Sequence, residues 1–217
     1  MIYLFNGALL AAHGSGKKRY ISMVLINVSC TETGEKKMHN DVERILFSEE
    51  DIRKAVNELG KRITDDYKGK NPLIIGVLKG SFIFMSDLVR AIDLSCDLDF
   101  MVAKSYGNAA VSSGTVKIMK DVDADVTGRD VIIVEDILDT ARTLASVKEH
   151  LSSKGAASVK ICTLLDKVTA VKAADVKADY KCFDVGNEFV IGYGLDYAEK
   201  YRNLRYIGVL KREIYER

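Results

Sequence analysis

Apolar residues recur along this chain in two different periods. Ile52, Val56, Leu59 and Ile63 follow one another at helical spacing behind Ser48, which forms a capping-box pattern with Asp51, so a helix is predicted over about 49–67. In "NPLIIGVL" and "DVIIVE" the apolar residues run without interruption, as they do in strands buried on both faces of a parallel sheet. "KGSFIFMSDLVRAI" predicts a loop entering a second amphipathic helix. Leu144, Val147 and Leu151 mark a third helix, which Gly155 can close. "SVKICTLL" reads as a further buried strand. "CDLDFMVAKSY" and "TVKIMKD" read as strands joined by the small-residue segment "GNAAVSSG", a plain hairpin connection or a mobile flap. Strands alternating with helices imply right-handed crossovers, a mostly parallel sheet, and ligands bound outside the carboxyl ends of its strands. The remainder, from "YKCFDV" through "FVIGYG" to "RYIGVLK", is richer in strands and is expected to form a hood over that sheet.

Length and composition sharpen this α/β expectation. A chain of 217 residues with 47% hydrophobic side chains can bury one good core. The periodic pattern starts only after "TETGEKKMHND", which reads as a polar linker. Residues 1–37 are therefore expected to be an extension outside the core, and 38–217 the folded domain. With 32 basic and 31 acidic residues there is no global field to gather nucleic acid or an anionic membrane, so any anion recognition is local. No apolar stretch is long enough for a transmembrane helix, and the apolar N-terminal segments lack the layout of an export signal. Cys30, Cys96, Cys162 and Cys182 have neither zinc-site nor disulfide-framework spacing and fit ordinary thiols in a reducing cytoplasm. Histidine occurs only at 13, 39 and 150, which points any acid/base role toward a carboxylate or a lysine.

The stretch "VIIVEDILDTARTL", residues 131–144, carries the candidate chemistry. A buried strand ends on Glu135 and Asp136, followed by Asp139, and carboxylates in that position need solvent, a cation or a ligand. "DTART" then offers successive backbone N–H groups near a helix N-terminus, plus the hydroxyls of Thr140 and Thr143, a combination suited to a phosphate monoester. Acids beside such a cradle can bind the magnesium of a phosphate or accept hydrogen bonds from a sugar diol, so the run points to a sugar phosphate. For any one of these acids alone, capping the next helix and facing water is the better reading.

The whole run resembles the 5-phosphoribosyl-1-diphosphate (PRPP) signature of the type I phosphoribosyltransferases, and the likeness extends through most of residues 40–217, closest to the hypoxanthine-guanine phosphoribosyltransferases. "GVLKGSFIFMSDL" is similar to that family's pyrophosphate loop, with Lys79 and Gly80. "KSYGNAAVSSGTVKI" is similar to its mobile loop, with Ser105 and Tyr106. "LLDKV" places Lys167 where the family reads the purine 6-oxo group, and "FVIGYGLDYAEKYRNL" matches its base-stacking and metal segment at Phe189, Val190, Asp196 and Arg202. The fold so implied is a central mostly parallel sheet flanked by helices, with a small hood. One departure stands out: Ala141 occupies a position where the family usually has glycine. A Cβ there costs roughly 1–2 kcal/mol if the backbone is left-handed, so either the loop avoids that conformation or phosphate affinity falls.

The resemblance implies a purine salvage enzyme in which magnesium-bound PRPP donates its phosphoribosyl group to N9 of hypoxanthine or guanine. Asp139 is implied as the general acid or base at the purine N7. Residues Glu135 to Asp136 and Asp139 to Thr143, including Ala141 and Arg142, would hold ribose and 5′-phosphate. Lys79, Gly80 and Arg202 would bind pyrophosphate; Lys167, Phe189, Val190 and Asp196 would bind the purine; Glu135, Asp136 and Asp196 would hold Mg2+. The family commonly forms homo-dimers or homo-tetramers in the cytoplasm. Two rivals are weaker: a non-enzymatic PRPP-binding regulator should show a basic face, and adenine transfer is disfavoured by a lysine donor at position 167. Xanthine is not separated from guanine and hypoxanthine by these residues.

Overall fold

The computed structural model of the protein describes residues 2–5, 8–13, 20–25, 38–105, 116–172 and 176–216. The chain divides into two units, Met1–Lys37 and Met38–Arg217. The first contains an antiparallel three-stranded sheet of β1 (Ile2–Phe5), β2 (Ala8–His13) and β3 (Tyr20–Leu25) in the order β1-β2-β3.

The second unit is built from β4 (Val42–Phe47), α1 (Glu49–Asp66), β5 (Leu73–Val77), α2 (Phe82–Ala91), β6 (Asp97–Ser105), β7 (Val116–Lys120), β8 (Asp130–Leu138), α3 (Arg142–Ser153), β9 (Ser158–Lys167), β10 (Tyr180–Val185), β11 (Val190–Ile191), β12 (Ile207–Leu210) and the single turn α4 (Arg212–Tyr215). Six strands form one sheet in the order β10-β9-β8-β5-β6-β7, parallel except for β7 at one edge. This is the α/β architecture expected. A smaller antiparallel sheet, β11-β12-β4, forms the hood.

The uninterrupted apolar runs have a direct cause. Side chains alternate between the faces of a strand, and both faces of β8 are covered: Ile132 and Val134 join the core that contains the inner faces of α1 and α2, whereas Val131 and Ile133 join the core beneath α3. Full burial of each such side chain is worth about 1.5–3 kcal/mol, so neither face tolerates a polar residue until the strand leaves the core at Glu135. α1 begins as predicted, with Ser48 accepting from the Asp51 N–H at 3.1 Å and the Ser48 N–H donating to Asp51 Oδ2 at 3.0 Å.

Two placements differ from the sequence expectation. β10, "YKCFDV", is not part of the hood but a parallel edge strand of the main sheet, paired with β9. It is half-buried because only one side has a neighbour, which gives it the mixed pattern of a hood strand. The hood instead recruits β4 from the N-terminal side of the domain, where Glu43 and Arg44 disguise the strand with exposed charge. Among the described residues no helix is long and apolar enough to cross a membrane.

Candidate active site

The carboxyl ends of β5, β8 and β9 open toward the same edge of the parallel sheet, and β8 contributes most of the polar groups there. A cavity of about 390 Å³ is lined by Leu78, Lys104, Glu135, Asp136, Asp139, Thr140, Ala141 and Thr143, together with apolar residues that include Val77, Leu138 and Leu144.

At the end of β8 the two acids are held in an environment hostile to charge. Burial and the adjacent Asp136 push the Glu135 carboxyl well above its ordinary range. Burial also raises Asp136, partly offset by a hydrogen bond with the Glu135 carboxyl, by the Ile137 N–H, which donates to Asp136 Oδ1 at 2.8 Å, and by the Arg202 guanidinium. Glu135 Oε2 and the hydroxyl of Thr163, its register partner on β9, are sealed from solvent and find no hydrogen-bond partner among the described residues. Unsatisfied buried polar atoms are expensive, and of these two residues Glu135 lines the cavity.

Beyond Asp139 the chain turns sharply into α3. Ala141 sits at φ 64°, ψ −5°, in the left-handed region, and is itself buried. The loop therefore does not avoid the conformation in which a Cβ is unfavourable, at a cost of about 1–2 kcal/mol. Ala141 has no side chain able to cap α3, so the helix begins without a side-chain cap and its first N–H groups remain available to an anion. Arg142 opens the helix and is exposed.

The loop after β5 approaches the acids from the other side. The Leu78–Lys79 peptide is cis. A Cβ at Gly194 would overlap the Gly80 carbonyl, so close backbone approach requires glycine there, and a Cβ at Gly80 would displace the Asp136 carboxylate. Ser81, fully buried, donates to the Val77 carbonyl at 2.6 Å and fixes the loop before α2 starts.

Lys167 ends β9 with its side chain 21% exposed and its Nζ 3.7 Å from Asp139 Oδ2. From the hood, Phe189 is half-exposed; its ring stacks on Tyr215 at 4.9 Å between centroids and meets Tyr197 edge-on at 5.5 Å. Val190 is buried in β11. Arg202 donates to the Gly194 carbonyl at 2.7 Å and pairs with Asp196 at 2.8 Å. Between them Tyr197 and Lys200 bridge a two-residue turn whose central residues, Ala198 and Glu199, have φ of 51° and 62°. Positive φ at both positions is the geometry that ordinarily calls for Asn or Gly.

Most of the sequence-derived residues fall into three groups, whereas Phe189, Val190 and Asp196, expected at the purine, do not line the cavity at the end of β8. Glu135, Asp136, Asp139, Thr140, Ala141 and Thr143 line one cavity; Lys167 joins them through Asp139; Lys79 and Arg202 meet through Glu199, whose Oε2 lies 3.0 Å from Lys79 Nζ and 3.4 Å from Arg202 Nη2. Ser105 ends β6, and Tyr106 lies outside the described residues. Sequence reasoning passed over Glu199, Lys104 and Tyr215. Glu199 was within a matched segment but carries no pattern of its own, because only the folded turn aims its carboxylate at both cations.

A strand-end carboxylate pair, an uncapped helix start and a glycine loop pressed against the acids meet at one edge of the sheet, an arrangement chemically able to take a polar, anionic ligand. The chain matches the model of the phosphoribosyl transferase domain over residues 45–198. It is 54% identical over 180 residues to the hypoxanthine-guanine phosphoribosyltransferase of Streptococcus thermophilus, covering 83% of this chain and 99% of that protein. It is 50% identical over 199 residues to the bifunctional protein TilS/HprT of Listeria monocytogenes, covering 92% of this chain but only 30% of the relative's length. The structure of a hypoxanthine phosphoribosyltransferase from Staphylococcus aureus superimposes with a TM-score of 0.79 at 48% identity, over 82% of this chain and 96% of that one. A Trypanosoma cruzi hypoxanthine phosphoribosyl transferase, studied for the role of its C-terminal region in oligomeric state and activity, gives 0.78 at 42% identity, over 83% and 97%. The chain belongs to the phosphoribosyltransferase family and, within it, to the hypoxanthine-guanine phosphoribosyltransferases.

Proposed function

We propose that the domain transfers the phosphoribosyl group of PRPP to N9 of hypoxanthine or guanine, releasing pyrophosphate and giving the nucleoside 5′-monophosphate. The observation that carries this reading is the Lys167–Asp139 pair at 3.7 Å beside the β8 cradle. A lysine donor and a carboxylate acceptor side by side match the adjacent O6 and N7 positions of a 6-oxopurine, whereas the 6-amino group of adenine would meet the lysine donor to donor.

In this reading the amides of 139–143 and the hydroxyls of Thr140 and Thr143 hold the 5′-phosphate, with Arg142 beside them, and Glu135 and Asp136 face the ribose. Phe189 stacks on the base, and the backbone of Val190 meets its far edge. Lys79, the amide at Gly80 and Arg202 bind the diphosphate. Ser105 and Tyr106 belong to the loop that covers the site. Breaking the anomeric C–O bond leaves an oxocarbenium-like ribose and a departing anion. The chain's contribution is to align the base with the sugar and to set cationic groups where the negative charge goes. Asp139 exchanges the proton at N7.

Magnesium fits the residues present. Among the described residues no cluster of three or more His, Cys, Asp or Glu could hold a metal ion, but a two-carboxylate edge with a partnerless Glu135 Oε2 suits a cation that arrives with phosphate oxygens and water. Glu135 and Asp136 would face it from the ribose side and Asp196 from the side of Arg202; when bound it would neutralise the diphosphate. Homo-oligomer formation and a cytoplasmic location complete the proposal, the latter in keeping with the free thiols of Cys96, Cys162 and Cys182. Residues 1–37 form a unit of their own, in keeping with an extension outside the catalytic domain, although the 199-residue match to the Listeria monocytogenes relative takes in at least 19 of them, since 38–217 accounts for only 180. Their deletion is expected to leave activity and melting temperature nearly unchanged, and a truncated protein that is insoluble or melts well below the full chain would contradict this.

Incubation with PRPP, Mg2+ and each of hypoxanthine, guanine, xanthine and adenine tests the proposal. Nucleotide should form with hypoxanthine or guanine and not with adenine. Failure with both favoured bases would overturn it.

A further inference from the structure

The cations assigned to pyrophosphate are already engaged. One oxygen, Glu199 Oε2, lies 3.0 Å from Lys79 Nζ and 3.4 Å from Arg202 Nη2, so a single carboxylate bridges a loop of the parallel sheet to the hood. The carboxylate is carried on a tight two-residue turn closed by the backbone pair of Tyr197 and Lys200, which fixes where it points. Ala198 and Glu199 both lie at positive φ, and the turn is pinned by the Glu199 N–H donating to Asp196 Oδ2 at 2.8 Å, while Asp196 in turn grips Arg202 at 2.8 Å. Strained residues concentrated at a ligand site are the usual mark of a preset geometry.

Resting on the function proposed above, we infer that Glu199 is an internal stand-in for the diphosphate: its carboxylate holds Lys79 and Arg202 in the ligand-free protein, yields them to the diphosphate of the incoming substrate, and competes for them again as pyrophosphate departs. The contact keeps two like charges together while no anion is bound, and it lowers the affinity for the product that must leave. Glu199 is a positioning residue that acts through the two cations. Its side chain is 65% exposed, so displacing it into water is easy and the competition is modest.

Two variants separate this from general charge repulsion. E199Q removes the charge, and E199D keeps it while drawing the carboxylate back from both cations. Calorimetric binding of pyrophosphate in the presence of Mg2+ should tighten by about 2- to 10-fold in both variants, with the KM for hypoxanthine unchanged. Tightening in E199Q but not in E199D would assign the effect to charge alone and overturn the stand-in. Unchanged or weaker binding in E199Q would overturn it as well, since a merely structural turn residue loosens the site when replaced. A wild-type protein that binds no pyrophosphate would overturn the assigned function, and the stand-in with it.

Discussion

Two loops of this domain force an alanine into the left-handed region, and they hold it there by different means. At Ala141 the residue is buried in the core under α3, so packing locks the turn. At Ala198 and Glu199 the turn lies on the hood; the backbone pair between Tyr197 and Lys200 closes it, the Glu199 N–H donates to Asp196, and the Glu199 side chain is held only by ion pairs to Lys79 and Arg202. In the proposed function the first loop is a rigid cradle for the 5′-phosphate that PRPP and the product nucleotide share. The second can yield, because exposed ion pairs are worth only about 0–1 kcal/mol each and are screened by salt. Under the proposed function, a site that grips the ribose phosphate and releases pyrophosphate has reason to use both.

The largest expected effect comes from the rigid loop. Asp139→Asn keeps the size of the side chain and leaves the amides of 139–143 in place, so kcat should fall by about 100- to 10,000-fold while an independently measured PRPP dissociation constant changes little. A variant with wild-type kcat and weak PRPP binding would move Asp139 into the cradle. Lys167→Ala leaves Asp139 without its 3.7 Å partner and the base without its donor. Loss of one charge-assisted hydrogen bond predicts roughly a 10- to 100-fold drop in kcat/KM for hypoxanthine, and an unchanged value would remove Lys167 from base selection.

Glu135 should separate stability from binding. Its carboxyl is raised by burial and by Asp136, so the folded chain keeps protons that the unfolded chain releases. Stability of the ligand-free protein should therefore fall as the pH rises out of the ordinary carboxylate range toward the raised values. Glu135→Gln should flatten that slope and stabilise the protein by about 1 kcal/mol near neutral pH, at the expense of PRPP affinity. Urea unfolding at several pH values reads both, and a destabilised variant would show that the acid is satisfied in a way this geometry does not reveal.

The smallest effect compares the two strained alanines directly. Ala198→Gly should stabilise by about 1 kcal/mol through relief of the left-handed conformation. Ala141→Gly should gain less, because it also gives up a buried methyl worth about 0.8 kcal/mol. Equal gains would mean that packing does not lock the cradle.

Much of this was legible in the residues. The capping box at Ser48, the two-faced burial of β5 and β8, and the acids where β8 leaves the core all follow from local pattern, because each side chain there serves the element it sits in. The hood was less legible. β4 and β10 are edge strands whose exposed charges mask the alternation, and their sheet is chosen by pairing across more than a hundred residues for β4 and by a neighbour on one side for β10. The Ala198–Glu199 turn carries no glycine or asparagine to announce it, and its meaning depends on Lys79, 120 positions away. Ala141 was suspected only because the family resemblance places glycine there.

Amide hydrogen exchange with and without Mg2+ and PRPP tests most directly whether the acidic end of β8 is a sugar-phosphate cradle. Protection on adding PRPP should concentrate in residues 139–143 and around Gly80. Exchange in 139–143 that PRPP leaves unchanged, under conditions where binding is saturated, would contradict the account.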